Sequence, residues 1–185
     1  ADDAGICANV EFPRPSGLVR DLLRPVPGVA DSLDGWQRSA VVRRIVALLE
    51  EHSGGPSMWL LDRFIAGSDD GASAGAQRLR AARKVARLFD TYERYRPAML
   101  EAWETGHDLG PDGEELSESQ IWQPLLWRRL IEETASPPLH RILPEACEAL
   151  RHDEGVAVPE RISLYGLTAI DPTVLHVLDA VSHRS

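Results

Sequence analysis

Apolar residues recur at three- and four-residue spacing through most of this chain, and each such stretch ends near a proline or glycine. Trp36, Ala40, Val41, Ile45, Leu48 and Leu49 predict an amphipathic helix over residues 35 to about 52, capped by Asp34. Val85, Leu88, Phe89, Tyr92 and Tyr95 predict a second over 77–95. Ile121, Trp122, Leu125, Leu126, Leu130 and Ile131 predict a third over 119–133. Shorter helical patterns cover 17–23 (Ser16 as N-cap), 58–66, 97 to about 106 (Pro97 in its first turn), 139–152 and 173–181. Pro144 is a candidate kink or division in the fourth of these, and Asp171 with Pro172 opens the last. Two stretches break the helical period. Residues 6–12 (ICANVEF) and 161–165 (RISLY) read as short strands. Residues 67–75 are small and polar, a flexible loop, and 108–118 form an acidic, glycine-containing loop. Strands on both sides of a long helical stretch suggest an α/β sheet interrupted by a helical lobe of about 7–8 helices. The two strands would be parallel if the chain returns by crossover.

Composition narrows what such a lobe can do. A length of 185 residues, 43% hydrophobic and 26% charged, suits one soluble domain, or a domain with a lobe inserted in it. No apolar run approaches the roughly 20 residues of a membrane helix, and no signal-peptide pattern opens the chain. Cys7 and Cys147 are far apart in sequence; a disulfide between them is the weaker reading and two buried thiols of a reducing compartment the better one, so a cytoplasmic location is expected. The formal charge of −9 argues against a broad nucleic-acid-coating surface and does not exclude a narrow basic groove. Residues 77–96 supply such a candidate: seven cations (Arg78, Arg80, Arg83, Lys84, Arg87, Arg94, Arg96) stand against Asp90 and Glu93, a local charge of +5. Lys84 is the only lysine, and no GxxxxGK[ST] loop precedes it, so no intact Walker-type ATP site lies in the chain. The six histidines show no ligand spacing, Glu114, Glu115 and Glu118 read as solvent-facing, and GxSxG is absent. No catalytic constellation, metal or other cofactor is expected.

The basic helix supports two readings. Its arginines are either a solvated face paired with Asp90, Glu93 and nearby acids, or one wall of a nucleic-acid groove. In the second case arginines meet phosphates, and Tyr92 or Tyr95 stacks on unpaired bases. Trp103, Trp122 and Trp127 lie in apolar patterns and read as core.

Three segments carry a family resemblance: GICANVEFPRPS from Gly5, LFDTYERYRPAMLEAWETGH from Leu88 and WQPLLWRRL from Trp122. Together with LHR from Leu139 and ISLYGLTAIDPTVLHVLDAV from Ile162, in the same order, they closely resemble the N-terminal part of the RecC family, the gamma subunits of exodeoxyribonuclease V. The arginine richness is similar to that of actinobacterial members. The resemblance implies a mainly α fragment, α/β by parentage, taken from a helicase-like domain that has lost its ATPase motifs. It would start after the subunit's first strand and stop before its later domains. Residues 13–155 would be the helical lobe, with 1–12 and 156–185 as remnants of the parent domain.

It further implies a non-catalytic role in double-strand-break repair beside RecB-like and RecD-like subunits of an ATP-dependent helicase-nuclease. That role would be guiding the 3′-ended single-stranded DNA through a channel where the hotspot Chi is read. Carried over by motif, the DNA-facing residues are Arg14 and Arg20, then Arg87, Leu88, Asp90, Thr91 and Arg96, then Arg141. Enterobacterial members have leucine, tryptophan and aspartate where this chain has Arg14, Arg20 and Arg87. Phosphate attraction should therefore rise and base readout change, so that a different hotspot is read, or none. The alternative is a helical protein-interaction module that docks partner subunits without touching DNA.

Overall fold

The computed structural model describes residues 13–51, 63, 73–166 and 169–184. Among these the regular secondary structure is helical, with no sheet. Eight helices follow one another: α1 (Pro15–Leu23), α2 (Val29–Gly35), α3 (Arg38–Glu51), α4 (Ala74–Tyr95), α5 (Pro97–Glu104), α6 (Trp122–Glu132), α7 (Leu139–His152) and α8 (Pro172–Ser182). No helix among the described residues is long and apolar enough to cross a membrane.

The helices bury two apolar clusters. The first joins α3, α4, α5 and α6 through Ile45, Leu49, Val85, Phe89, Leu100, Trp103, Trp127 and Leu130. Ala81, Ala82 and Ala86 line the buried side of α4, where small side chains allow a neighbouring helix to approach closely. Arg38 pairs with Asp90 at one end of α3 and Arg78 with Glu50 at the other, so α3 lies antiparallel to α4. The second cluster joins α1, α2, α7 and α8 through Leu22, Leu23, Leu33, Cys147, Leu150, Val174 and Val177, with Val156 from the loop after α7. Trp103 and Trp127 are fully buried, and each indole N–H finds an acceptor, the Leu109 carbonyl at 2.8 Å and Glu104 Oε1 at 3.1 Å.

The strand expected at 161–165 is absent: these residues have no regular structure and no ladder partner among the described residues. Leu164 and Tyr165 project into solvent, 51% and 98% exposed. An apolar, β-branched stretch becomes a strand only when its N–H and C=O groups are paired, and here no described segment pairs with them. The other expected strand, 6–12, lies outside the described residues, as do nearly all of the expected helix at 58–66 and most of the loop at 67–75. The one β-type pairing described is a single antiparallel bridge, Leu109 to Glu115, inside the acidic loop.

Several boundaries also move. Asp34 does not cap a helix at 35; it sits in the last turn of α2, a helix where a loop was expected. Gly28 starts α2 at φ +79°, a left-handed conformation that costs glycine little. Chain direction changes at Trp36, whose indole N–H reaches the Ser136 carbonyl at 2.8 Å, and α3 begins only at Arg38. Pro15 rather than Ser16 opens α1, because proline's fixed φ and missing N–H suit the first turn. Ser73 caps α4 three residues before the expected start, and α6 starts at Trp122 rather than 119. α7 runs unbroken across Pro144. Asp171 caps α8 as expected, accepting from the Val174 N–H at 2.9 Å, with Pro172 behind it.

Candidate nucleic-acid interface

α4 positions most of the candidate residues. Its buried stripe fixes its rotation, and the opposite side presents Arg83, Arg87 and Thr91 to solvent. Arg87 and Arg83 have no ion-pair partner among the described residues. Leu88 is half-buried beside them, and the Thr91 hydroxyl donates to the Arg87 carbonyl at 2.9 Å. Asp90 is engaged from two sides. Arg94, one turn later, places one nitrogen 2.7 Å from both carboxylate oxygens, and Arg38 of α3 bonds Oδ2 at 2.9 Å. Arg94 also lies 3.7 Å from Asp171 at the start of α8. Arg96, at the end of α4, is exposed, with its guanidinium 5.5 Å from the centre of the Tyr92 ring.

The aromatic candidates separate. Tyr92 is tied into the core: its hydroxyl donates to Gln123 Oε1 at 2.9 Å and its ring meets Trp103 edge-on at 5.7 Å. Burial pushes its phenol above the ordinary value, against the pull of Arg96. Tyr95 is 57% exposed and is the aromatic of this helix that is open to a base.

The remaining candidates lie apart from this face. Arg14 is the exposed N-cap of α1 with no side-chain partner among the described residues. Arg20 is half-buried and committed to the Leu33 carbonyl at 2.8 Å and Asp34 at 3.0 Å, where Arg24 joins it. The two guanidiniums hold the Asp34 carboxyl below its usual range. Among the described residues no hydrogen bond or ion pair links Arg14 or Arg20 to α4. Arg141, on α7, is held by Glu104 of α5 through both its Nε and a terminal nitrogen.

That last contact belongs to a buried charged cluster that sequence reasoning missed. Glu104, 4% exposed at its side chain, accepts from Trp127 Nε1 and faces His140 Nε2 at 3.1 Å as well as Arg141. The other ring nitrogen of His140 lies 3.4 Å from Glu93 Oε1, which also accepts from the Leu139 N–H at 3.2 Å. Burial lowers the basicity of His140, but the two carboxylates outweigh it and raise its pKa to about 9. For Glu104, burial opposes the charge while His140, Arg141 and Trp127 together bring the carboxyl below its usual range. A neutral imidazole carries one N–H and could donate to only one of two carboxylates, so this geometry favours imidazolium, in keeping with the raised pKa. The cluster ties α7 to α4, α5 and α6. A signal for it existed: Glu104 follows Leu100 by four residues and so occupies the apolar stripe of its own helix.

No cluster of three His, Cys, Asp or Glu side chains suited to a metal occurs among the described residues. The free thiol Cys147 is buried, and burial raises its pKa.

Comparison with known proteins adds a family assignment. The profile "RecC, N-terminal domain" matches residues 1–185. The RecBCD enzyme subunit RecC of Mycobacterium tuberculosis (strain H37Rv) is 30% identical over 192 residues, covering 96% of this chain and 16% of that protein. The RecBCD enzyme subunit RecC of Escherichia coli (strain K12) is 30% identical over 185 residues with the same coverage. That of Mycolicibacterium smegmatis is 31% identical over 184 residues, covering 96% of this chain and 15% of that protein. The chain thus spans about one sixth of the length of these relatives.

Proposed function

The chain belongs to the RecC N-terminal domain family, and on that premise we propose that it is part of a RecBCD-type repair complex in which the outer face of α4 lines the path of a single DNA strand. One observation carries this reading. In a chain of net charge −9, Arg83 and Arg87 stand on one face of a rigid helix with no acid paired to them among the described residues. An exposed cation without an intramolecular partner is free to release counterions from a phosphate backbone. Exposed Tyr95 and Arg96 extend the same helix end with a base-stacking surface and a further cation. RecB-like and RecD-like subunits are the partners this assignment implies. The fragment's part is non-catalytic: it positions the strand while chemistry occurs elsewhere.

A second reading has its own support. Arg20, Arg24, Arg38, Arg94 and Arg141 all pair with acids of this chain, as they would in a helical module that docks protein and never meets DNA. Binding of an oligothymidylate across a salt series separates the two. Affinity that falls with salt, and is lost in Arg87→Ala plus Arg96→Ala, supports the strand path. Salt-independent or absent binding, or binding that survives both substitutions, supports docking.

Sequence readout is the finer proposal. With exposed cations at Arg14 and Arg87, and Arg20 turned to Leu33 and Asp34, this protein reads a hotspot different from the enterobacterial octamer, or none. Hotspot response of the full complex on a randomised-sequence library tests it, and a preference for that octamer would overturn it.

A further inference from the structure

Arg38 is the first residue of α3, where the helix dipole disfavours a cation, so its place is explained from outside its own helix. Its guanidinium is 59% exposed at the side chain and reaches 2.9 Å across to Asp90 of α4. Asp90 is three residues after Arg87, one turn along the same face. Arg38 therefore brings a cation from a second helix to the side of α4 that carries Arg87. Asp90 meanwhile has both oxygens engaged by Arg94, one of them also by Arg38. The small cavity beside it, about 30 Å³ and lined by Trp36, Arg38, Asp90 and Glu93 among others, has room for a water and not for a nucleobase.

We propose that Arg38 is a further strand-contacting residue of this face, binding backbone phosphate next to Arg87, and that Asp90 is a positioning residue that presents Arg38 instead of reading bases. The inference rests on the proposed strand path. It places phosphate recognition on two helices, α3 and α4, whose antiparallel packing is set by the first apolar cluster. Asp90 then acts through Arg38 and Arg94. Removing its charge frees two guanidiniums for phosphate and takes away one repulsive carboxylate.

The test is oligothymidylate binding by the whole chain across a salt series, comparing wild type with Arg38→Ala, Arg38→Lys, Asp90→Asn and Arg87→Ala. Each phosphate contact contributes about 0.7 to the slope of log affinity against log salt on a single strand. Arg38→Ala should reduce the slope by about that amount, and Arg38→Lys should restore it. Asp90→Asn should show no new base preference on mixed-sequence oligonucleotides. Thermal melts of each variant identify any loss caused by unfolding, and Arg38→Lys keeps the charge question answerable if Arg38→Ala melts early. If Arg87→Ala lowers the slope and Arg38→Ala leaves it unchanged, the inference fails while the strand path stands. If Asp90→Asn alters base preference on mixed-sequence oligonucleotides, Asp90 reads bases and its positioning role is overturned. If wild type shows no salt-dependent binding, the strand path fails and the inference falls with it.

Discussion

The buried cluster around His140 makes a quantitative prediction. His140 Nδ1 and Nε2 face Glu93 and Glu104, on α4 and α5, and the Trp127 ring of α6 lies 5.9 Å from the imidazole. Arg141 approaches Glu104 from the same helix as His140. The folded-state pKa of about 9 stands above the ordinary 6.5 of an unfolded histidine. At about 1.4 kcal/mol per unit, that difference corresponds to on the order of 3 kcal/mol of stability. Because the folded pKa is the raised one, the contribution is fully present below pH 6.5. It declines as pH rises from 6.5 and is gone once pH passes 9. The assay is urea denaturation followed by tryptophan fluorescence at pH 6, 7.5 and 8.5, comparing wild type with His140→Gln. Cys147, whose thiol is raised by burial, is common to both proteins, so its contribution cancels in their difference. The difference between the two proteins should shrink by roughly 1.4 kcal/mol per pH unit across the upper part of this range. A difference independent of pH would refute the doubly bonded imidazolium, as would a ring titration near 6.5 measured by NMR.

Two further outcomes test the local structure. Asp171→Ala removes the side chain that caps α8 and should cost about 1 kcal/mol, read as a lower urea midpoint with an unchanged slope; a neutral effect would mean the cap contributes nothing. Gly28→Ala meets no atom within 4 Å, so its cost is backbone strain alone, about 1–2 kcal/mol; a stabilising effect in the same denaturation assay would show that the left-handed start of α2 is wrong.

What the sequence made legible was what depends on neighbours along the chain. α4, α6 and α7 follow from apolar stripes of 3.6-residue period, and Asp171-Pro172 announces the start of α8. The misreadings share one cause. Asp34-Gly35 looks like a cap and helix start, but its carboxylate is claimed by Arg20 and Arg24 across the turn between α1 and α2. Val29 and Leu33 were too few to signal α2. Residues 161–165 have strand composition, but a strand needs a partner that composition does not name. The candidate site divides along the same line. The run of cations on α4 is local and was visible, whereas the identity of the free ones was not. Arg94 and Arg87 are alike in sequence terms, each a cation within a turn of Asp90. The structure gives Asp90 to Arg94 and to Arg38, 52 residues away, and leaves Arg87 without an acid among the described residues. Likewise Arg141 owes its position to Glu104, 37 residues earlier, through a carboxylate that periodicity assigns to a core stripe. A net charge of +5 over residues 77–96 therefore overstates what the helix can offer a phosphate. What matters is which guanidiniums remain after long-range pairing, and on α4 those without an acid among the described residues include Arg83 and Arg87, while Arg38 of α3 is held at Asp90.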